Sequence, residues 1–153
     1  MLCTGASDEM HEKRPDPMFR REDRRMSAND PLLAPIAGAD TRTVAGVQLD
    51  IVKAGTGRVK RTIYPVGFRW DSHMKPLVGT DHCEHAHVGF IAKGHVQIRY
   101  ADGCTVDFKA PAAVVIEPGH EGWVVGDEPA VMIEVDFLNE TAARFGLPAS
   151  HQH

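Results

Sequence analysis

The stretch HVQIRYADGCTVDF, residues 95–108, decides the fold class. Two strand-like runs, His95-Val96-Gln97-Ile98-Arg99-Tyr100 and Thr105-Val106-Asp107-Phe108, flank the dipeptide Asp102-Gly103. Tight hairpin turns need positive φ at their centre, which Asp and Gly tolerate, so this is the strongest local hairpin signal in the chain. The same rhythm continues on both sides. Upstream, Val44, Val47, Leu49, Ile51 and Val52 read as a strand, and residues 58–64 form another that stops at Pro65. Phe68-Arg69-Trp70 is a brief extended piece followed by a loop through Lys75-Pro76, and His85 to Lys93 is a strand broken by Gly94. Downstream come residues 113–116, a Pro118-Gly119 turn, Trp123-Val124-Val125, a turn at Gly126-Asp127, and a strand from Val131 to Phe137. Strands recurring every 8 to 12 residues between turn residues describe an all-β antiparallel sandwich or barrel.

The ends differ from this core. Residues 1–30 mix charges of both signs with two prolines and almost nothing to bury, so a flexible N-terminal arm is expected, with Met26 as an alternative start. Residues 31–147 form the barrel domain. Asn139 is placed as the N-cap of a short helix over 140–145 that Gly146 stops, and residues 148–153 form an exposed tail.

Composition excludes several classes. In 153 residues no apolar run approaches the roughly 20 that a membrane-spanning helix needs. The first residues lack the basic start and apolar stretch of a secretory signal. The formal net charge of −4 provides no general attraction to nucleic acid or an anionic membrane, so neither is expected as a partner. Three cysteines, an odd and sparse set, point to reduced thiols and a cytoplasmic protein. No phosphate-cradling glycine loop, Cys-x-x-Cys pair or nucleophile elbow is present.

The histidines are clustered. Asp81-His82-Cys83-Glu84-His85-Ala86-His87 is followed two hairpins later by Pro118-Gly119-His120-Glu121. Alternate strand residues share a face, which puts His85 and His87 together, while His120 opens another strand after its turn. Imidazoles converging from a rigid scaffold suit a divalent ion. The candidate ligands are His82, His85, His87 and His120, with Cys83, Glu84 and Glu121 as alternative ligands or as groups that orient a ring. The expected site is His87, His120 and one of His82, His85 or Cys83. The competing reading is a polar rim bonded to backbone and water. Glu134 is a further possible acid–base group, Glu117 a rim charge, and Trp70, Phe90, Phe108 and Trp123 core or dimer packing.

Val78-Gly79-Thr80-Asp81-His82-Cys83, His87-Val88-Gly89-Phe90, Asp102-Gly103 and residues 118–129 resemble small bacterial single-domain proteins of the cupin superfamily, metal-binding β-barrels of jelly-roll type. The resemblance covers roughly residues 60–137. Against the general pattern, His87 stands where the family has its glutamate, Thr80 replaces the first histidine, and His120 lies two positions early. The resemblance implies a divalent metal cofactor (iron, nickel, manganese or zinc), a small-molecule substrate or ligand, and a homodimer. It implies an enzyme of the dioxygenase, decarboxylase or isomerase type, or alternatively a non-catalytic sensor of a small ligand or metal.

Overall fold

The computed structural model describes residues 30–152; of the expected arm at 1–30, residues 1–29 lie outside them. Nine strands follow in chain order: β1 (Asp40–Val44), β2 (Val47–Ala54), β3 (Gly57–Tyr64), β4 (His87–Lys93), β5 (His95–Tyr100), β6 (Thr105–Lys109), β7 (Ala112–Ile116), β8 (His120–Val124) and β9 (Ala130–Asp136). They form two antiparallel sheets, one of six strands in the order β1-β2-β3-β9-β4-β7 and one of three in the order β6-β5-β8. The hairpin at Asp102-Gly103 pairs β5 with β6 as expected, from His95 opposite Lys109 to Arg99 opposite Thr105.

Alternation sets what faces the interior. In β5 the buried positions are Val96, Ile98 and Tyr100, and in β7 they are Val114 and Ile116. These pack with Ile91, Phe108 and Met132 into one core between the sheets. β9 breaks the rule in an informative way, because its inward positions Glu134 and Asp136 are carboxylates, buried to 1% and 5% exposure. β3 lies beside it in register, with Lys60 opposite Glu134 and Arg58 opposite Asp136. Each buried anion thus faces a cation directly across the ladder, which is what makes its burial tolerable.

Gly89 lets β4 and β9 approach. A Cβ at this position would stand 2.1 Å from the carbonyl oxygen of Ile133 and 2.6 Å from the Cα of Glu134. Only glycine fits, and the close approach brings the start of β4 against Glu134.

Several local expectations are corrected. β4 begins at His87, not His85, because residues 79–86 are held as a loop. The extended piece at 68–70 ends at Arg69. Trp70–Met74 is instead a π-helical turn running into α1 (Lys75–Val78), which has Pro76 in its first turn and Gly79 at φ 80° as its left-handed stop. Proline is already shaped for a first helical turn, so Pro76 starts structure here. At the C-terminus a 3₁₀ turn (Leu138–Glu140) precedes α2 (Thr141–Phe145), and Gly146 ends it as expected. Asn139 does not cap this helix. The Oγ1 of Thr141 instead accepts from the Phe137 amide at 3.0 Å. The tail is not wholly exposed either: His151 stacks on Tyr100 with ring centroids 3.8 Å apart. Its Nδ1 lies 3.2 Å from Glu117, which also accepts from the Tyr100 hydroxyl at 2.8 Å. Cys104 is disulfide-bonded, so the expectation of three reduced thiols does not hold there.

The outer face of the large sheet carries one more buried charge pair. Arg61 donates from Nε and Nη2 to Asp50, at 2.9 and 2.7 Å. Its Nη1 donates to the backbone carbonyls of Leu32 and Ala34, so the segment entering the barrel covers the pair.

Candidate metal centre

Cys83 and His120 are joined through the backbone. The Pro118-Gly119 turn, with Gly119 at φ 87°, delivers His120 to the first position of β8. There Cys83 forms an isolated antiparallel bridge with it. The Gly119 amide donates to the Cys83 carbonyl at 2.8 Å, and the Cys83 amide donates to the His120 carbonyl at 2.6 Å. Residues opposed in an antiparallel bridge send their side chains to one side, so Sγ and imidazole share a wall of the cavity. The loop holding Cys83 is itself anchored, since Trp70 Nε1 donates to the Asp81 carbonyl at 3.1 Å.

His87 reaches the same point from β4. Its Nε2 lies 3.6 Å from Cys83 Sγ, and its ring centroid is 5.2 Å from that of His120. The second nitrogen of each ring is engaged elsewhere. His87 Nδ1 is 3.0 Å from Glu134 Oε2, and His120 Nδ1 is 2.7 Å from the Glu117 carbonyl. A carbonyl only accepts, so His120 carries its proton on Nδ1 and presents an Nε2 lone pair; the Glu134 carboxylate imposes the same tautomer on a neutral His87. Glu134 is in turn ion-paired to Lys60, which also reaches Asp136 at 3.0 Å. Arg58 completes the row by donating from Nη2 to Asp136 at 3.1 Å.

The electrostatics follow from this packing. Burial opposes a charge on Cys83, yet hydrogen bonds from His120, His85 and His87 hold its thiol well below the ordinary value of 9.0. Burial likewise opposes a charge on His87, but the Glu134 and Cys83 charges raise it to about 10. Glu134 is lowered because His87 and Lys60 outweigh its burial. The three groups thus favour one another's charges: the thiol is shifted toward its anion, the imidazole toward its cation, and the carboxylate stands behind them.

Cys83, His87 and His120 offer ligand atoms that all lie within 4.8 Å of one another. The fit to an ion can be tested on one edge. Metal–sulfur and metal–nitrogen bonds of about 2.3 and 2.05 Å at a tetrahedral angle put S and N about 3.6 Å apart. The observed Cys83–His87 separation is 3.6 Å. The residues present fit a mononuclear centre with two imidazoles, one thiolate and positions left for other ligands.

The remaining candidates lie elsewhere. His85 lines the mouth of the cavity, with Nε2 3.3 Å from Asn139 Oδ1. Glu84 is exposed at the same mouth. His82 does not line the cavity; its carbonyl accepts from Thr80 Oγ1 at 2.8 Å. Glu121 turns to the outside of β8 and pairs with Arg99. The roles of Glu134 as His87's anchor and of Lys60 behind it were not foreseen. The one available signal was a β9 run, Met132-Ile133-Glu134-Val135-Asp136, with charges at alternate positions of an otherwise apolar strand.

No family model matches the chain, and no curated protein matches it. Among solved structures it is similar to FeII HppE, with a TM-score of 0.50 and 10% identity over 71% of this chain and 62% of that one. It is also similar to a cupin 2 conserved barrel domain protein from Salinispora arenicola (TM-score 0.48, 18% identity, covering 74% and 94%). Ectoine synthase from P. lautus is a third (TM-score 0.46, 10% identity, covering 65% and 70%). With two antiparallel sheets closing on one cavity, the chain has the fold of the cupin superfamily.

Proposed function

We propose that the protein is a metal-dependent enzyme acting on a small molecule, with a divalent ion held by Cys83, His87 and His120. The observation that carries this reading is the arrangement of the two imidazoles. Each has its Nδ1 tied to an oxygen acceptor, which leaves Nε2 as the free ring nitrogen beside the Cys83 thiol, the pattern that orients histidine ligands in metal sites. A thiolate with two imidazoles suits zinc, iron(II) or nickel over the harder magnesium or calcium. When bound, the ion polarises a substrate oxygen at its remaining positions. The chain's own groups do the rest. Cys83 offsets one unit of the ion's charge, Glu134 fixes the ring of His87, and the apolar cavity walls keep water from the reacting group.

The test is elemental analysis of untagged protein together with Cys83→Ala and His120→Ala variants. The expected result is about one ion per chain in the parent and loss of it in both variants. Stoichiometric metal that survives both substitutions would place the ion elsewhere and end this assignment. Turnover then separates an enzyme from a ligand sensor: a metal-loaded protein that binds small molecules and converts none would be a sensor.

A further inference from the structure

The cavity behind the Cys83, His87 and His120 side chains has a volume of about 290 Å³, at the small end for a ligand site. Its walls come from both sheets and are mainly hydrocarbon and aromatic, among them Leu49, Phe68, Ile98, Phe108 and Met132. Two cations also line it, but neither is uncommitted. Arg58 is paired with Asp136, and Lys60 with Glu134 and Asp136. A second anionic group on a ligand would have to break these pairs in a poorly solvated space and leave a buried carboxylate without its cation. Polyanions are excluded by the same argument that lets the ion pairs remain buried.

The mouth matches the interior. Val78, at the end of α1, and Leu138, at the start of the 3₁₀ turn, both line the cavity while remaining 48% and 61% exposed. Leu138 is held at φ 57°, a left-handed conformation that leucine rarely adopts. Neither the exposure nor the backbone at Leu138 is explained by the core. Both make sense if this side chain meets something apolar on its way in. The His85–Asn139 contact ties the Cys83 loop to the same turn, so the rim and the metal-ligand loop are coupled.

We propose that the cavity takes a small ligand with an uncharged apolar body and one polar head. The body fills the space between the sheets, the head points to Cys83, His87 and His120, and entry is between Val78 and Leu138. The metal reading is needed only for the head; the body is recognised by the walls.

The experiment is calorimetric titration of zinc(II)-loaded protein with straight-chain monocarboxylates from propanoate to octanoate, and with α,ω-dicarboxylates of the same lengths. Chelator-treated protein is titrated in parallel with n-alkanols from butanol to octanol. Each added methylene should tighten binding about fourfold until the cavity is full. The dicarboxylates should bind at least tenfold more weakly. Affinity independent of chain length, or dicarboxylates binding equally well, would overturn the proposal. If the alkanol slope persists in chelated protein while zinc neither binds nor changes carboxylate affinity, the metal reading fails and the apolar ligand class stands. If zinc binds stoichiometrically with no slope, the ligand class alone fails. Leu138→Asn, which removes the apolar rim and suits a left-handed backbone, should weaken octanoate binding threefold or more with no loss of melting temperature. Unchanged affinity in that variant would overturn the assigned entrance.

Discussion

Replacing Glu134 by glutamine keeps the shape of the side chain but removes the charge that orients His87 and pairs with Lys60. Loss of a carboxylate behind a histidine ligand costs about 10- to 100-fold in metal affinity. Glu134→Gln should therefore weaken zinc binding by that factor in a chelator competition, while Glu84→Gln, altering an exposed side chain at the mouth, should leave it within about twofold. At this scale the sequence was only partly informative. His87 and His120 are recognisable because a turn and a strand start fix where each points. Cys83 could be named only as one of several alternatives, since its bridge to His120 joins residues 37 positions apart. Glu134 carried an ambiguous signal, because an acidic residue in a strand reads as solvent-facing until its neighbours are known.

At the scale of elements, the start of β4 depends on its fit against β9. Gly89→Ala would drive a methyl group into the Ile133 carbonyl, and backbone cannot rotate away as a side chain can. We expect a loss of about 3 kcal/mol or more in chemical denaturation, at the upper end for overpacking. Any folded fraction should also bind zinc more weakly, because separating β4 from β9 pulls His87 off Glu134. The hairpins were legible because their turns are local chemistry: Asp102-Gly103 and Pro118-Gly119 specify their geometry within four residues. The two turns of helix at 70–78 were not. Their sequence, Trp70-Asp71-Ser72-His73-Met74-Lys75-Pro76-Leu77-Val78, has too few residues for a helical period to emerge. Trp70 is buried and bonded to the Asp81 carbonyl, so tertiary packing is what holds the segment.

For the whole molecule, acid sensitivity is set by carboxylates that fold into partnerships. Asp50 is buried, yet hydrogen bonds from Thr41, Arg61 and Gln48 and the Arg61 charge bring it below its ordinary value of 3.8. Asp136 is lowered as well, by Arg58 and Lys60. Folded pKa values below the unfolded ones mean that the unfolded chain takes up protons first as pH falls. The stability from these pairs is fully present above the ordinary carboxylate range and is lost as pH drops through the lowered values. Thermal melts should thus fall steeply below about pH 4. Asp50→Asn should cost about 3 kcal/mol at neutral pH, by leaving Arg61 buried without its anion, and should flatten the acid slope. A parent-like melting temperature in that variant at pH 7 would contradict the assigned pair. At the other end of the chain, His151→Ala should lower stability by about 1 kcal/mol through the lost stacking on Tyr100, read in the same melts.

The sequence by itself determined the all-β antiparallel class, the rhythm of strands and turns, the helix stop at Gly146 and the presence of an imidazole-rich cluster. These rest on local backbone preferences and on period-two alternation, which act over a few residues. Only the tertiary structure decided that Cys83 joins His87 and His120, that Glu134 and Lys60 stand behind them, and that the C-terminal His151 packs against Tyr100. Each of those choices depends on register between strands far apart in the chain, and register is selected by the burial of the whole core at once.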